Sequence, residues 1–299
     1  MKTNLLIVAG LLGISSIGFG RTDEVSQTME FRDVAALIER KITEHGGKNT
    51  LLVFDIDNTT MKFTQDIGSE HWFLWQQALI RERPGDPSAI AATVDDALRL
   101  QGYLTNILPM IPVEPQIPVK LKHYGEQGAR MMTLTSRMPD VNDATQRELS
   151  RNGFPYERYA PGPGQGLAGK FIPYDLSDLR SYGLTPEEAR EFKLPEAREV
   201  VYSRGAYLTQ GQHKGVMLKT LLHKLRLRFD AIIFVDDRVH HLEGMRKAFE
   251  SDPVMVSTVE YLHERPVTER FLNADKTDVI ARWQKFAAGM RAIQAPSQP

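Results

Sequence analysis

The sequence predicts an α/β protein built on a Rossmann-like, doubly wound parallel sheet, and three observations carry that prediction. The continuous apolar run "LLVF" at 51–54 has the pattern of a strand buried on both faces, and "ARMMTL" at 129–134 and "AIIFV" at 231–235 also read as strands. Stretches with helical spacing of apolar residues separate these runs, and such alternation implies parallel pairing through crossover connections. Each run ends on polar residues, at the carboxyl strand ends where open α/β sheets bind ligands.

The elements follow in order. "MKTNLLIVAGLLGISSIGFG" opens with Lys2, an apolar run from Leu5 to about Ile14, then Gly18 and Gly20. That is the layout of a bacterial-style secretory signal peptide over 1–20, with a cut after Gly20. The expectation is an exported protein, periplasmic or secreted, with no stable membrane anchor after cleavage. Phe31, Val34, Leu37, Ile38 and Ile42 recur at helical spacing up to Gly46 and Gly47. After the strand at 51–54, helices are predicted over about 69–82, broken at Pro84, and about 88–107. "LPMIPVEPQIP" reads as a proline-rich linker. Residues 120–127 read as helix, 129–134 as strand, and a helix follows Pro139 and stops at Gly153.

Residues 160–171, "APGPGQGLAGKF", read as a Gly/Pro loop without the GK[ST] ending of a phosphate-cradling loop. "TPEEAREF" reads as a short helix capped by Thr185. Strands at 199–203, 231–235 and 254–259 then alternate with helices at 214–225 and 238–250. A closing helix over 268–290 precedes a tail expected to be disordered over 291–299. The core thus spans 21–290, with a mainly helical insert at about 61–118 and a second at about 155–198. The first insert follows the first core strand and is expected to sit over the carboxyl ends of the sheet as a cap.

Composition narrows the function. A net charge of −1 offers no basic stripe, so no nucleic-acid partner is expected. The absence of cysteine excludes disulfides, thiolate zinc sites and cysteine nucleophiles.

The strand ends say more. The first delivers Asp55 and Asp57. The second delivers Thr135, Ser136 and Arg137. The third delivers Asp236 and Asp237, and "TQGQHKG" opens a helix with Lys214. Two carboxylates about 4 Å apart repel by on the order of 4 kcal/mol at an effective dielectric near 20. Four such acids in one crevice need a cation, retained protons, or both. Carboxylate ligands without thiols select a hard cation, Mg²⁺ by default. Mg²⁺ beside a lysine and a hydroxyl calls for an anionic ligand, and phosphate fits best. Of Asp55 and Asp57, one can attack phosphorus and the other can protonate the leaving oxygen.

Other residues have plainer readings. His213 is a loop residue. His240 and His241 point about 100° apart on a helix and do not chelate together. Trp72, Phe73 and Trp75 either form the core of the insert or line a pocket under it. Arg137 either reaches phosphate or pairs structurally.

Taken together, these motifs resemble the haloacid dehalogenase (HAD) superfamily of phosphotransferases. "FDIDNTT" matches its opening DxDxT motif, "MMTLTSR" its second motif, "QGQHKG" its lysine motif and "IIFVDDR" its closing acidic motif, in the family order. The chain looks closest to the exported bacterial DUF2608 group. The resemblance implies that Asp55 is the nucleophile and an Mg²⁺ ligand. Asp57 becomes the general acid/base, with its backbone carbonyl on the metal. Thr135, with Ser136 beside it, and Lys214 hold the phosphoryl oxygens, and Asp236 or Asp237 completes the metal site. Many relatives place a further Asp or Asn where this chain has His240 and His241. The second Asp of the opening motif favours phosphate ester hydrolysis over dehalogenation. The expectation is an Mg²⁺-dependent phosphatase acting on a small phosphorylated substrate. The alternative is a secreted binding or host-interaction protein on the same fold, with little or no turnover.

Overall fold

The computed structural model describes residues 26–294, so the signal peptide expected at 1–20 lies outside the described residues. Strand β1 (Ser26–Thr28) leads into helix α1 (Phe31–His45), which buries Phe31, Val34, Leu37 and Ile38 and ends at Gly46, φ 80°. Strand β2 (Thr50–Phe54) is buried along its whole length, as an unbroken apolar run requires. Then come β3 (Met61–Phe63), α2 (Glu70–Glu82), α3 (Val94–Ile107) and β4 (Met110–Pro112). Helix α4 (Ile117–Glu126), strand β5 (Arg130–Thr135) and helices α5 (Asn142–Arg151) and α6 (Tyr156–Tyr159) follow. Next are β6 (Lys170–Phe171), α7 (Pro186–Glu191), β7 (Val200–Ser203) and β8 (Ala206–Leu208). The chain closes with α8 (Lys214–Leu225), β9 (Ala231–Asp236), α9 (Val239–Ala248), β10 (Met255–Tyr261), α10 (Arg265–Asn273) and α11 (Thr277–Gln294).

The main sheet of the described residues has the order β1-β10-β9-β2-β5-β8-β7-β6. Pairing is parallel from β1 through to β8. It is antiparallel for the last two strands. The prediction of a mostly parallel α/β sheet holds, and the antiparallel edge is the correction. Its cause is local: Arg204 (φ 44°) and Gly205 (φ 77°) form a two-residue turn whose twist suits a hairpin between β7 and β8.

Period-two alternation divides the sheet residues between two cores. Leu52, Phe54, Ile233 and Val235 face α1 and α4. Leu51, Val53, Ile232 and Phe234 face α8 and α9. A third, smaller cluster lies outside the sheet. It joins Trp72 and Leu104 of the first insert to Phe271 and Val279 of α10 and α11.

Several expected boundaries move. The helix expected from about 88 begins at Val94. Gln76 holds the preceding turn, accepting from Ile90 N at 2.9 Å and donating to the Ser88 carbonyl at 3.2 Å, and Thr93 caps the helix. The linker expected at 108–118 contains β4, which pairs antiparallel with β3, and the start of α4, where Pro118 is tolerated in the first turn. The single closing helix is two, interrupted at Ala274, whose extended backbone (ψ 163°) ends α10. Residues 291–294 belong to α11, so that part of the expected tail is helical. The remainder of the tail lies outside the described residues. Among the described residues no helix is long and apolar enough to cross a membrane.

Candidate functional site

From β2 the chain moves to β5 and β8 on one side of the sheet, then returns to β9 and β10 on the other. The reversal of strand order therefore falls beside β2, where open α/β sheets bind ligands. Asp55 directly follows β2, and its N–H still donates to the Val235 carbonyl at 2.9 Å. Thr135 is the last residue of β5, Asp236 the last of β9, and Lys214 the first of α8. The chain turns sharply after Asp55, with Asn58 at φ 58°. Thr60 Oγ1 pins that turn by donating to the Asp55 carbonyl at 2.6 Å. The hydroxyl of Thr59, the threonine of the DxDxT motif, has no hydrogen-bond partner among the described residues.

Lys214 is buried with its ammonium between two acids. Nζ donates to Asp55 Oδ1 and, at 2.7 Å, to Asp236 Oδ2. Asp236 also accepts from Arg238 N at 2.9 Å and meets His241 Nδ1 at 3.1 Å. One oxygen each from Asp55, Asp236 and Asp237 lie within 4.8 Å of one another. No histidine belongs to that group.

Their surroundings shift the three acids in different directions. Burial pushes Asp55 up to about 6 against the attraction of Lys214, and Asp236 and Asp57 add to the rise. Burial, then the charges of Asp236 and Asp55, push Asp237 well above the ordinary carboxylate range. Burial acts on Asp236 in the same sense, but Lys214 and His241 outweigh it and hold Asp236 low. Asp236 is thus the ionised anchor, and Asp55 and Asp237 are short of positive charge. Three convergent carboxylates with this deficit fit a hard divalent cation, whose preferred ligands are oxygens.

Asp57 stands apart from that group. Arg137 grips it with two bonds, Nε to Oδ2 at 2.9 Å and Nη2 to Oδ1 at 2.8 Å. The guanidinium is itself anchored, Nη1 donating to Thr145 Oγ1 at 3.0 Å. Of the two roles open to Arg137, the structure shows the pairing one.

A cavity of about 340 Å³ covers these groups. Asp55, Asp57, Thr135, Ser136, Lys214 and Asp237 line it from the sheet side. Phe73, Leu74 and Gln77 of α2 and Gln101 and Thr105 of α3 line the other. Glu70 of α2 ties the two sides, accepting from Arg238 Nη2 and, at 2.6 Å, from Asn58 Nδ2. The aromatic trio divides: Phe73 lines the cavity, while Trp72 and Trp75 belong to the small third core. A larger groove of about 630 Å³ lies between α8 and the loop at 252–254. It contains no converging acid group, so the chemistry points to the smaller cavity.

Sequence reasoning missed Glu70, Gln77, Gln101 and Arg238. No local pattern marks them, because only packing of the insert over the sheet brings them to the site. His213 is more than a loop residue. Its Nδ1 accepts from Val216 N at 3.2 Å and caps the helix that carries Lys214. The His240 and His241 rings meet at a tilt of 54°, centroids 4.1 Å apart, and among the described residues His241 of the two reaches an acid.

The sequence model of one family, "Protein of unknown function (DUF2608)", matches residues 27–293, and the chain belongs to that family. Comparison with curated proteins and with solved structures finds no match.

Proposed function

We propose that this DUF2608 protein is an exported phosphoric monoester hydrolase of the haloacid dehalogenase kind, working through an aspartyl-phosphate on Asp55. The observation that carries the reading is the buried Lys214 between Asp55 and Asp236, with Asp237 completing a compact group of oxygen ligands. Asp55, Asp236 and Asp237, with the backbone carbonyl of Asp57, would hold Mg²⁺. The ion would supply positive charge to the phosphoryl oxygens and to the crowded acids. Residues between β2 and β5 would form the cap that excludes water and selects substrate.

The steps fall to named side chains. An Asp55 carboxylate oxygen attacks phosphorus, and the bond from phosphorus to the leaving oxygen breaks. Asp57 gives that oxygen a proton. Asp57 then takes a proton from water as the water oxygen attacks phosphorus. The bond to Asp55 breaks and inorganic phosphate leaves. Lys214 and Thr135, with Ser136 at the rim, hold the phosphoryl oxygens through this sequence. Arg137 must release at least one oxygen of Asp57 for the proton to travel. Until it does, both are occupied.

Hydrolysis of p-nitrophenyl phosphate by the chain from Arg21 tests the reading, with Mg²⁺ or chelator and beside Asp55→Asn. Metal-dependent release that the substitution abolishes is expected. Mg²⁺ binding without any release would overturn it. That outcome would favour a secreted binding protein on the same scaffold, a reading that the double grip of Arg137 on Asp57 supports.

A further inference from the structure

The end of the sheet remote from the acids gathers positive charge. A tight turn over Gly47–Asn49 precedes β2, and β5 opens with Arg130, the Cα partner of Leu51. Lys48 and Arg130 therefore stand at the starts of two adjacent parallel strands, whereas Asp55 and Thr135 stand at their ends. Arg158 of α6 completes the group. The three line a cavity of about 390 Å³ together with Gly125, Gly128 and Tyr159. Among the described residues no carboxylate lines it, although Glu126 and Glu157 are neighbours in the chain. Its volume falls within the roughly 300–1,000 Å³ of small-molecule sites.

Close approach of backbone builds this cavity. A Cβ on Gly47 would overlap the Gln127 carbonyl, so glycine lets the turn before β2 meet the end of α4. A Cβ on Gly125 would overlap the Tyr159 ring, so glycine there lets α4 meet α6. The Lys48 stem passes over Gly128, its Cγ 3.4 Å from where a Cβ would stand. The Arg158 guanidinium lies over the Tyr159 ring, 5.3 Å from its centroid. Packing thus places two of the cations, and charge pairing places none. Lys48, Arg130 and Arg158 make no ion pair and no side-chain hydrogen bond among the described residues. Exposed arginines elsewhere do find acids: Arg99 pairs with Asp96, Arg190 with Glu187 and Arg265 with Glu260.

Three like charges around one cavity repel one another, and a shared anion relieves that repulsion. Two guanidinium forks and an ammonium match the several oxygens of phosphate groups. Threefold positive charge also favours a ligand with more than one negative charge over a lone carboxylate. We infer that this cavity is a second anion site, separate from the acid-lined one, and that it takes the phosphate groups of a polyanion, either an oligophosphate in solution or the headgroups of an anionic lipid surface. Arg130 and Arg158 donate to phosphate oxygens, and Lys48 adds a point charge beside them. The site is independent of the phosphatase reading.

Two probes test this on the chain from Arg21, kept in chelator so that turnover plays no part. Tripolyphosphate is titrated calorimetrically in low-salt buffer. In parallel the protein is sedimented with vesicles of phosphatidylcholine, with and without phosphatidylglycerol. Both are repeated with Arg130→Gln, with Lys48→Gln combined with Arg158→Gln, and with Arg190→Gln, which removes one exposed cation elsewhere. The four side chains are exposed, so the variants should fold, and thermal melts check that they do. Saturable binding of tripolyphosphate, weakened roughly tenfold or more by Arg130→Gln and by the double variant but not by Arg190→Gln, identifies an oligophosphate site. Binding only to vesicles that contain phosphatidylglycerol, with the same response to the variants, identifies a lipid surface. Binding of neither probe would overturn the inference. So would binding that the cavity variants leave unchanged, which would place the anion elsewhere, or equal weakening by Arg190→Gln, which would make the effect one of overall charge.

Discussion

At the scale of single residues, Asp55 holds a position that costs stability. Its folded pKa of about 6 lies above its ordinary value of 3.8, chiefly through burial. The neutral form therefore dominates below about pH 6 in the metal-free protein, and at pH 7.5 the buried charge is carried at a cost. The associated stability is fully present below about pH 4 and is lost as pH rises through about 6. Asp55→Asn keeps the shape and removes the charge, so it should stabilise the metal-free protein at pH 7.5, by about 1–3 kcal/mol. On the proposed phosphatase reading, the same substitution should abolish turnover, the trade of activity against stability expected where a site carries strain that folding alone would remove. Thermal melts with chelator at pH 4 and pH 7.5 check the first half, and the gain should shrink toward pH 4. A variant less stable than wild type at pH 7.5 would mean that the bond to Lys214 outweighs desolvation.

At the scale of elements, α8 is placed by its ends and by glycine. A Cβ on Gly215 would stand 2.6 Å from the Gly244 carbonyl oxygen, so glycine there is what lets α8 lie against α9. The His213 cap starts the helix one residue before Lys214. Its Nδ1 must be unprotonated to accept from Val216 N. Burial, reinforced by the nearby charges of His241 and His240, lowers the His213 pKa below 6.5. Stability from this cap is thus present above pH 6.5 and lost as pH falls through the lowered folded value. His213→Ala should cost about 1 kcal/mol at pH 7.5, a typical cap value. On the proposed phosphatase reading, it should also cost kcat more than KM by loosening Lys214. Denaturant curves at pH 7.5 and pH 5 decide, and a cost independent of pH would mean that packing on Phe192, whose ring centroid lies 4.6 Å from that of His213, and not the cap, carries the effect.

The same elements show what could be read in advance. β2, β5 and β9 were legible because burial on both faces leaves an apolar run, broken in β5 only by Thr133. Asp55, Thr135 and Asp236 were legible because each directly follows the apolar residues of its strand. β1, β4 and β8 have three residues each, too few to show a period, and they are strands only because a neighbour pairs with them. Gln101 and Arg238 carry no local mark at all, since their meaning arises only where helix and sheet meet.

At the scale of the whole molecule, the C-terminal helices explain how the insert is held. Phe271 of α10 and Val279 and Trp283 of α11 pack on Trp72 and Leu104, apart from both sheet cores. The Trp72 and Trp283 rings lie 5.6 Å apart between centroids. The chain thus reaches past its last strand to clamp the helices that roof the cavity. A small satellite core of this kind opens more readily than the sheet. Trp283 is half-buried, so Trp283→Ala should cost about 1–2 kcal/mol, less than the roughly 3–5 kcal/mol of a fully buried aromatic. If the clamp is local, that cost appears as roughly tenfold faster amide exchange in α2 and α3, with exchange in β2 and β9 little changed. On the proposed phosphatase reading, KM should rise as the roof loosens, while Mg²⁺ binding by the sheet-borne acids should persist. Hydrogen exchange followed segment by segment reads the difference. Uniform acceleration across sheet and insert would instead mean that the three cores open as one unit, with the roof no more mobile than the strands beneath it.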